Sequence, residues 1–161
     1  KAMEEYSKAI NEDISWAPAY HGMGVTYMLK RDIRHAETYF KRALEVEPDN
    51  VFVLSDMADL MLIKRESPEK ALAFAERAIA KTPPFYQPYL AMGNVLLVTG
   101  REDSAERFYR EASERGAKEY MILLNKARIY YLRGDGKRAE EYLRKLKNIE
   151  GLPLRVKELI H

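Results

Sequence analysis

A unit of about 34 residues recurs four times along the chain, and this repetition constrains the fold more than any other feature. With Ala17, Val51, Tyr86 and Tyr120 as first places, the intervals are 34, 35 and 34 residues. The eighth place is always small: Gly24, Ala58, Gly93 and Ala127. The eleventh reads Tyr27, Met61, Leu96 and Tyr130. Beyond a polar break, the twentieth place is alanine throughout, at Ala36, Ala71, Ala105 and Ala139. Four residues later stand Phe40, Ala75, Tyr109 and Leu143, and three further on Ala43, Ala78, Ala112 and Leu146. Pro48 and Pro83 close two of the units. The second unit needs one extra residue in its central turn, near Ser67 and Pro68.

Each unit reads as two helices. Tyr20, Met23, Gly24 and Tyr27 share one face at three- and four-residue steps, as do Ala36, Tyr39, Phe40 and Ala43. Asp32, Ser67 and Asp135 are predicted N-caps, Pro68 suits a first helical turn, and Gly100 and Gly134 suit C-terminal caps. The small eighth and twentieth places let the two helices of a hairpin approach closely, with aromatic rings filling the space beside them.

The run Tyr20-x2-Met23-Gly24-x2-Tyr27, followed by Ala36-x3-Phe40-x2-Ala43 and Pro48, resembles the tetratricopeptide repeat. The fourth place departs from the usual aromatic residue at Leu54 and Leu123. Lys126 stands where the seventh place is ordinarily apolar, and the last closing proline is displaced to Pro153. The resemblance implies an all-α, right-handed superhelical solenoid of antiparallel helix hairpins with about ten helices. Full repeats span 17–50, 51–85, 86–119 and 120–153 of a single array. Residues 1–16 supply the second helix of a truncated repeat, through Ala2, Tyr6 and Ala9, closing near Ile14. Residues 154–161 form a capping helix or start a further repeat. Because the array opens inside a repeat, the chain reads as a piece of a longer protein.

The resemblance also implies where a partner docks. In this family the first helix of each unit lines a concave side that holds a peptide or a partner's helix. Carrying over the family's groove places gives His21, Val25 and Met28 in the first unit and Phe52, Asp56 and Asp59 in the second. The third supplies Gln87, Leu90, Asn94 and Leu97, and the fourth Met121, Leu124, Asn125, Arg128 and Tyr131. Pro18, Ser55 and Leu62 fall on equivalent places. Phe52, Leu90, Leu97, Met121, Leu124 and Tyr131 suit a groove for an apolar segment, or packing between adjacent first helices. Asn94 and Asn125 stand 31 apart, the spacing of the two asparagines in the family's carboxylate clamp. Leu90 and Leu159 occupy places where that clamp needs cations, so a full clamp is not expected. The two amides then suit the backbone of an extended peptide, or ordinary polar places of the groove.

Charge is nearly balanced, with 27 basic against 25 acidic residues, but repeat four carries an excess of four positive charges. Lys126, Arg128, Arg133, Lys137, Arg138, Arg144, Lys145 and Lys147 read as a solvated helix face rather than an anion patch, and no nucleic acid is expected as partner. The chain has no cysteine, which excludes disulfides and thiol chemistry within these residues. The sequence holds no G-x-S-x-G, H-E-x-x-H or phosphate-loop motif. His21 and His35 lie on different helices without an obvious third metal ligand. The uncharged run from Thr82 to Gly100 is broken by Pro83, Pro84 and Pro88 and is no membrane span.

The expectation is therefore a non-catalytic, cytoplasmic interaction scaffold. It needs no cofactor or metal, and its partner is another protein or peptide. Two alternatives stay open. One is a targeting or regulatory module of a larger enzyme, such as a protein-modifying transferase. The other is a structural scaffold that forms homo-oligomers through its repeat ends, with Tyr6 at one end and Leu159 and Ile160 at the other.

Overall fold

The computed structural model describes residues 2–12 and 16–160, the side chain of Leu159 excepted. Ile14, where the partial first repeat was expected to close, lies outside these residues, as does the Leu159 side chain invoked for the clamp and for self-assembly. The described residues form ten α-helices: α1 (Ala2–Glu12), α2 (Ala17–Leu29), α3 (Ile33–Val46), α4 (Val51–Ile63), α5 (Pro68–Ile79), α6 (Tyr86–Val98), α7 (Glu102–Glu114), α8 (Glu119–Leu132), α9 (Gly136–Lys147) and α10 (Leu154–Ile160). They divide into two compact units, residues 1–83 and 84–161. Unit one holds the hairpins α2/α3 and α4/α5, with α1 packed on α2 and α3 on α4. Unit two holds α6/α7 and α8/α9, with α6 against α8 and α10 on α9.

First and second helices differ as their sequences require. The second helices are amphipathic and bury one narrow stripe. That stripe is Ala36, Phe40 and Ala43 in α3, Ala71, Ala75 and Ala78 in α5, and Ala105, Tyr109 and Ala112 in α7. These are the twentieth, twenty-fourth and twenty-seventh places of the repeat. The first helices are apolar around most of their circumference. In α4, Val53, Leu54, Met57, Ala58, Leu60, Met61 and Leu62 are all buried. A helix of that kind must be enclosed by neighbours, and only its remaining face is left for a partner.

Close approach within hairpins rests on glycine. A Cβ on Gly24 would stand 2.4 Å from the Phe40 ring, and one on Gly93 would stand 2.7 Å from the Tyr109 ring. Where the twenty-fourth place is aromatic the eighth is glycine, and where it is Ala75 or Leu143 the eighth is alanine. The same device docks α1, whose Tyr6 ring would lie 2.3 Å from a Cβ on Gly22. Tyr6, expected on a bare face of a severed helix, is half-buried by this contact.

The four hairpin turns share one hydrogen-bonding pattern. Asp32, Glu66, Arg101 and Asp135 each donate their backbone N–H to the carbonyl five residues back, of Tyr27, Met61, Leu96 and Tyr130. This is the Schellman arrangement, which needs a left-handed residue just past the helix. Gly100 (φ 79°) and Gly134 (φ 80°) fill that place as expected, whereas Arg31 (φ 61°) and Arg65 (φ 54°) fill it in the other two turns. The α4/α5 turn holds the extra residue near Ser67. Asp32 and Asp135 cap α3 and α9 by accepting the N–H of His35 and Arg138. Ser67 stands at the N-cap position of α5 but makes no bond to a helix N–H. Its hydroxyl donates to the Glu69 carboxylate instead.

In unit two, Leu123, Leu146, Leu152 and Val156 form one buried cluster with Tyr120, Leu124, Tyr142, Leu143, Ile149 and Ile160 packed against it. The short helix α10 takes its place through Val156 and Ile160.

Candidate partner-binding faces

In unit one the candidate residues lie on α2 and α4. His21, Val25, Met28, Phe52, Asp56 and Asp59 are all half-buried, while Ser55 and Leu62 are buried. The Ser55 hydroxyl turns inward and donates to the Val51 carbonyl at 2.6 Å. The two helices are joined across this face by His21 Nε2 and Asp56 Oδ2, 2.7 Å apart. The imidazole also lies 6.0 Å from the Phe40 ring. His21 thus spends one ring nitrogen on a carboxylate from the next first helix, an arrangement that fixes the ring's orientation.

In unit two the residues lie on α6 and α8. Gln87, Leu90, Met121, Leu124, Asn125 and Arg128 are half-buried, and Tyr131 is 70% exposed. Leu97 and Asn94 are buried. Asn94 belongs to a polar chain that ties three helices together. Tyr109 Oη donates to Asn94 Oδ1 at 3.0 Å, and Asn94 Nδ2 donates to Asn125 Oδ1 at 3.0 Å. Asn125 Nδ2 donates to the Met121 carbonyl at 2.8 Å, and an Arg128 guanidinium nitrogen donates to Asn125 Oδ1 at 2.9 Å. The two asparagines paired by their spacing in the sequence are therefore bonded to each other. The sequence gives no warning of Tyr109, the twenty-fourth-place residue that completes the chain. A polar ninth place in the same repeat as a tyrosine is its only trace.

Three of repeat four's cations, Lys126, Arg133 and Arg138, pair with acids on α7. Lys126, at a place where the family is apolar, is 8% exposed. Its Nζ donates to Glu106 Oε2 at 2.8 Å and lies 5.0 Å from the Tyr109 ring centre and 5.5 Å from that of Tyr142. Its aliphatic stem fills the apolar place while its ammonium is met by the Glu106 carboxylate and the two tyrosine rings. Arg133 and Arg138 both reach Glu102, at 3.2 and 2.6 Å, and both stand over the Tyr130 ring. Together they hold the Glu102 carboxyl below the usual carboxylate range, Arg138 first. Lys145 pairs with Glu141 at 2.7 Å. Burial raises the Tyr142 hydroxyl above the ordinary tyrosine value.

Among the described residues, no three histidine, cysteine or acidic side chains stand close enough together to hold a metal ion. None of the described helices is long and apolar enough to cross a membrane.

Several known proteins share this architecture. PilF of Pseudomonas aeruginosa superposes with a TM-score of 0.63 at 20% identity, over 97% of this chain and 71% of that one. YrrB, described as a TPR protein with an unusual peptide-binding site, superposes at 0.56 with 24% identity, over 98% of this chain and 80% of its own. MamA superposes at 0.60 with 18% identity, over 98% of this chain and 87% of its own. At these identities the likeness is one of fold. No curated protein sequence matches the chain. Two tetratricopeptide repeat family models match it, one over residues 17–50 and the other over residues 90–153. The repeat period, the helix hairpins and these two matches agree: the chain belongs to the tetratricopeptide repeat family.

Proposed function

We propose that this chain is a non-catalytic scaffold whose first-helix faces dock a segment of a partner protein. In unit one the docking face comprises His21, Val25, Met28, Phe52, Asp56 and Asp59. In unit two it comprises Gln87, Leu90, Met121, Leu124, Asn125, Arg128 and Tyr131, with Asn94 and Leu97 beneath them as support. One observation carries the reading: α6 and α8, already packed against their second helices, still present Leu90 and Met121 half-buried and Tyr131 70% exposed. Apolar and aromatic side chains on one helical face, with amide and guanidinium groups beside them, match the way grooves hold peptides: apolar anchors for affinity and polar groups for register. YrrB, of similar fold, is described by a peptide-binding site, which supports the same use of this architecture.

The test is selection from a displayed random-peptide library, followed by direct binding of the selected peptide to wild type and to a Leu90→Glu/Tyr131→Ala variant. Leu124 is left alone because it packs on the buried cluster of unit two. The reading expects at least about a tenfold weaker Kd in the variant with an unchanged helical spectrum, equivalent to about 1.4 kcal/mol. Equal affinity in the two proteins would place recognition elsewhere.

A further inference from the structure

Unit one carries a cleft that the docking faces do not use. Its walls are two second-type helices, with Ser7 and Asn11 one turn apart on α1 and Tyr39 and Arg42 on α3. The buried Tyr20 of α2 also lines it. The volume is about 270 Å³. That is at the small end for ligand pockets, which usually run from about 300 to 1,000 Å³, so it suits one compact group.

Three features give the cleft a chemical preference. First, no carboxylate lines it among the described residues. Asp32, three residues before His35, already accepts the His35 backbone N–H and sits 2.7 Å from His35 Nδ1. Second, Arg42 lines the cleft and makes no hydrogen bond or ion pair among the described residues. Ser7 and Asn11 likewise make no side-chain hydrogen bond among them. Third, the aromatic wall is held in place. Tyr39 stacks on Tyr27 at 5.4 Å and 11°, Tyr27 stacks on His35 at 5.0 Å, and Tyr20 lies 6.5 Å from Tyr39. A fixed wall lowers the ordering cost of binding.

We infer that this cleft binds a carboxylate carried on a small apolar or aromatic body. The planar guanidinium of Arg42 matches a carboxylate through paired N–H···O bonds. The Ser7 hydroxyl and Asn11 amide add donors from the other wall, and Tyr20 and Tyr39 receive the apolar part. A free aromatic acid and a glutamate side chain on a partner's segment share this chemistry.

Amide-resolved NMR titration of the whole chain separates the sources, using sodium benzoate in one arm and a capped peptide bearing a single glutamate in the other. Benzylamine serves as the cationic control. Saturable shifts at Ser7, Asn11 and Arg42 are expected in at least one of the carboxylate arms, and the responding arm identifies the source. Arg42→Gln should weaken that binding about tenfold or more, and Ser7→Ala by less, while Arg110→Gln on α7 leaves it unchanged. Absence of saturable shifts in both carboxylate arms would overturn the inference. So would equal shifts with benzylamine, or an Arg42→Gln protein that binds as wild type does.

Discussion

Two side chains cannot occupy the space between the helices of a hairpin, and the repeat resolves this residue by residue. Phe40 and Tyr109 lie where a Cβ on Gly24 or Gly93 would fall. Gly93→Ala should therefore destabilise the chain by roughly 1–3 kcal/mol, the usual cost of overpacking, as read by urea denaturation. The Gly24→Ala loss should shrink in a Gly24→Ala/Phe40→Leu protein, because contacting residues couple by about 0.5–3 kcal/mol. Full additivity of the two changes would contradict the contact. Lys126 gives a second test at this scale. Its ammonium relies on Glu106, so Glu106→Gln should cost about 1–2 kcal/mol by weakening the bond to a charged group. Lys126→Met should be nearly neutral or stabilising, since an apolar chain restores what the place ordinarily holds. Thermal unfolding of the two variants distinguishes these effects by their order. The Gly–aromatic pairing was legible in the sequence once the repeats were aligned. The pairing of Lys126 was not, because its acid stands 20 residues earlier on another helix and follows no repeat place.

The hairpin turns show how one structural demand is met by different residues. All four need a left-handed residue after the first helix, and two use arginine there. A side chain in that conformation costs roughly 1–2 kcal/mol. Arg31→Gly and Arg65→Gly should each raise stability by about 0.5–1 kcal/mol after glycine's greater unfolded-state freedom is counted. Gly134→Ala should lower it. Denaturant midpoints at constant slope would show both signs. The α4/α5 turn also carries a charge cluster in which Glu66 contacts Lys64 and Lys70. Hydrogen bonds from these lysines, Lys64 first, lower the Glu66 carboxyl from its ordinary 4.5 to about 2. A carboxyl depressed on folding contributes stability above its unfolded value and loses it as pH falls through the folded one. Stability should thus decline between about pH 4.5 and about 2, and the decline should be shallower in Glu66→Gln. An identical acid profile in that variant would contradict the assignment.

Across the whole molecule, the periodicity carried the fold and left the site less determined. Small and aromatic places at fixed intervals specify hairpins because each has a packing role that recurs in every unit. Places on the outward face of the first helices have no such shared role. Asn94 and Asn125 were readable as a pair, yet their bond to each other, and the Tyr109 hydroxyl that completes it, depend on how three helices meet. The same holds for His21 and Asp56, which join two first helices through side chains 35 residues apart. Part of repeat four's positive charge, visible in composition, is engaged by Glu102 and Glu106 of the preceding repeat, through Lys126, Arg133 and Arg138. The central claim is that the first-helix faces are where a partner docks. Site-specific photocrosslinking tests it most directly, with a benzophenone amino acid placed at Met28 or Tyr131 on first helices and at Arg34 or Arg110 on second helices. In extract of the source cells, a defined partner should be captured from Met28 and Tyr131 and not from Arg34 or Arg110. Capture of that partner from Arg34 or Arg110 alone would contradict the account.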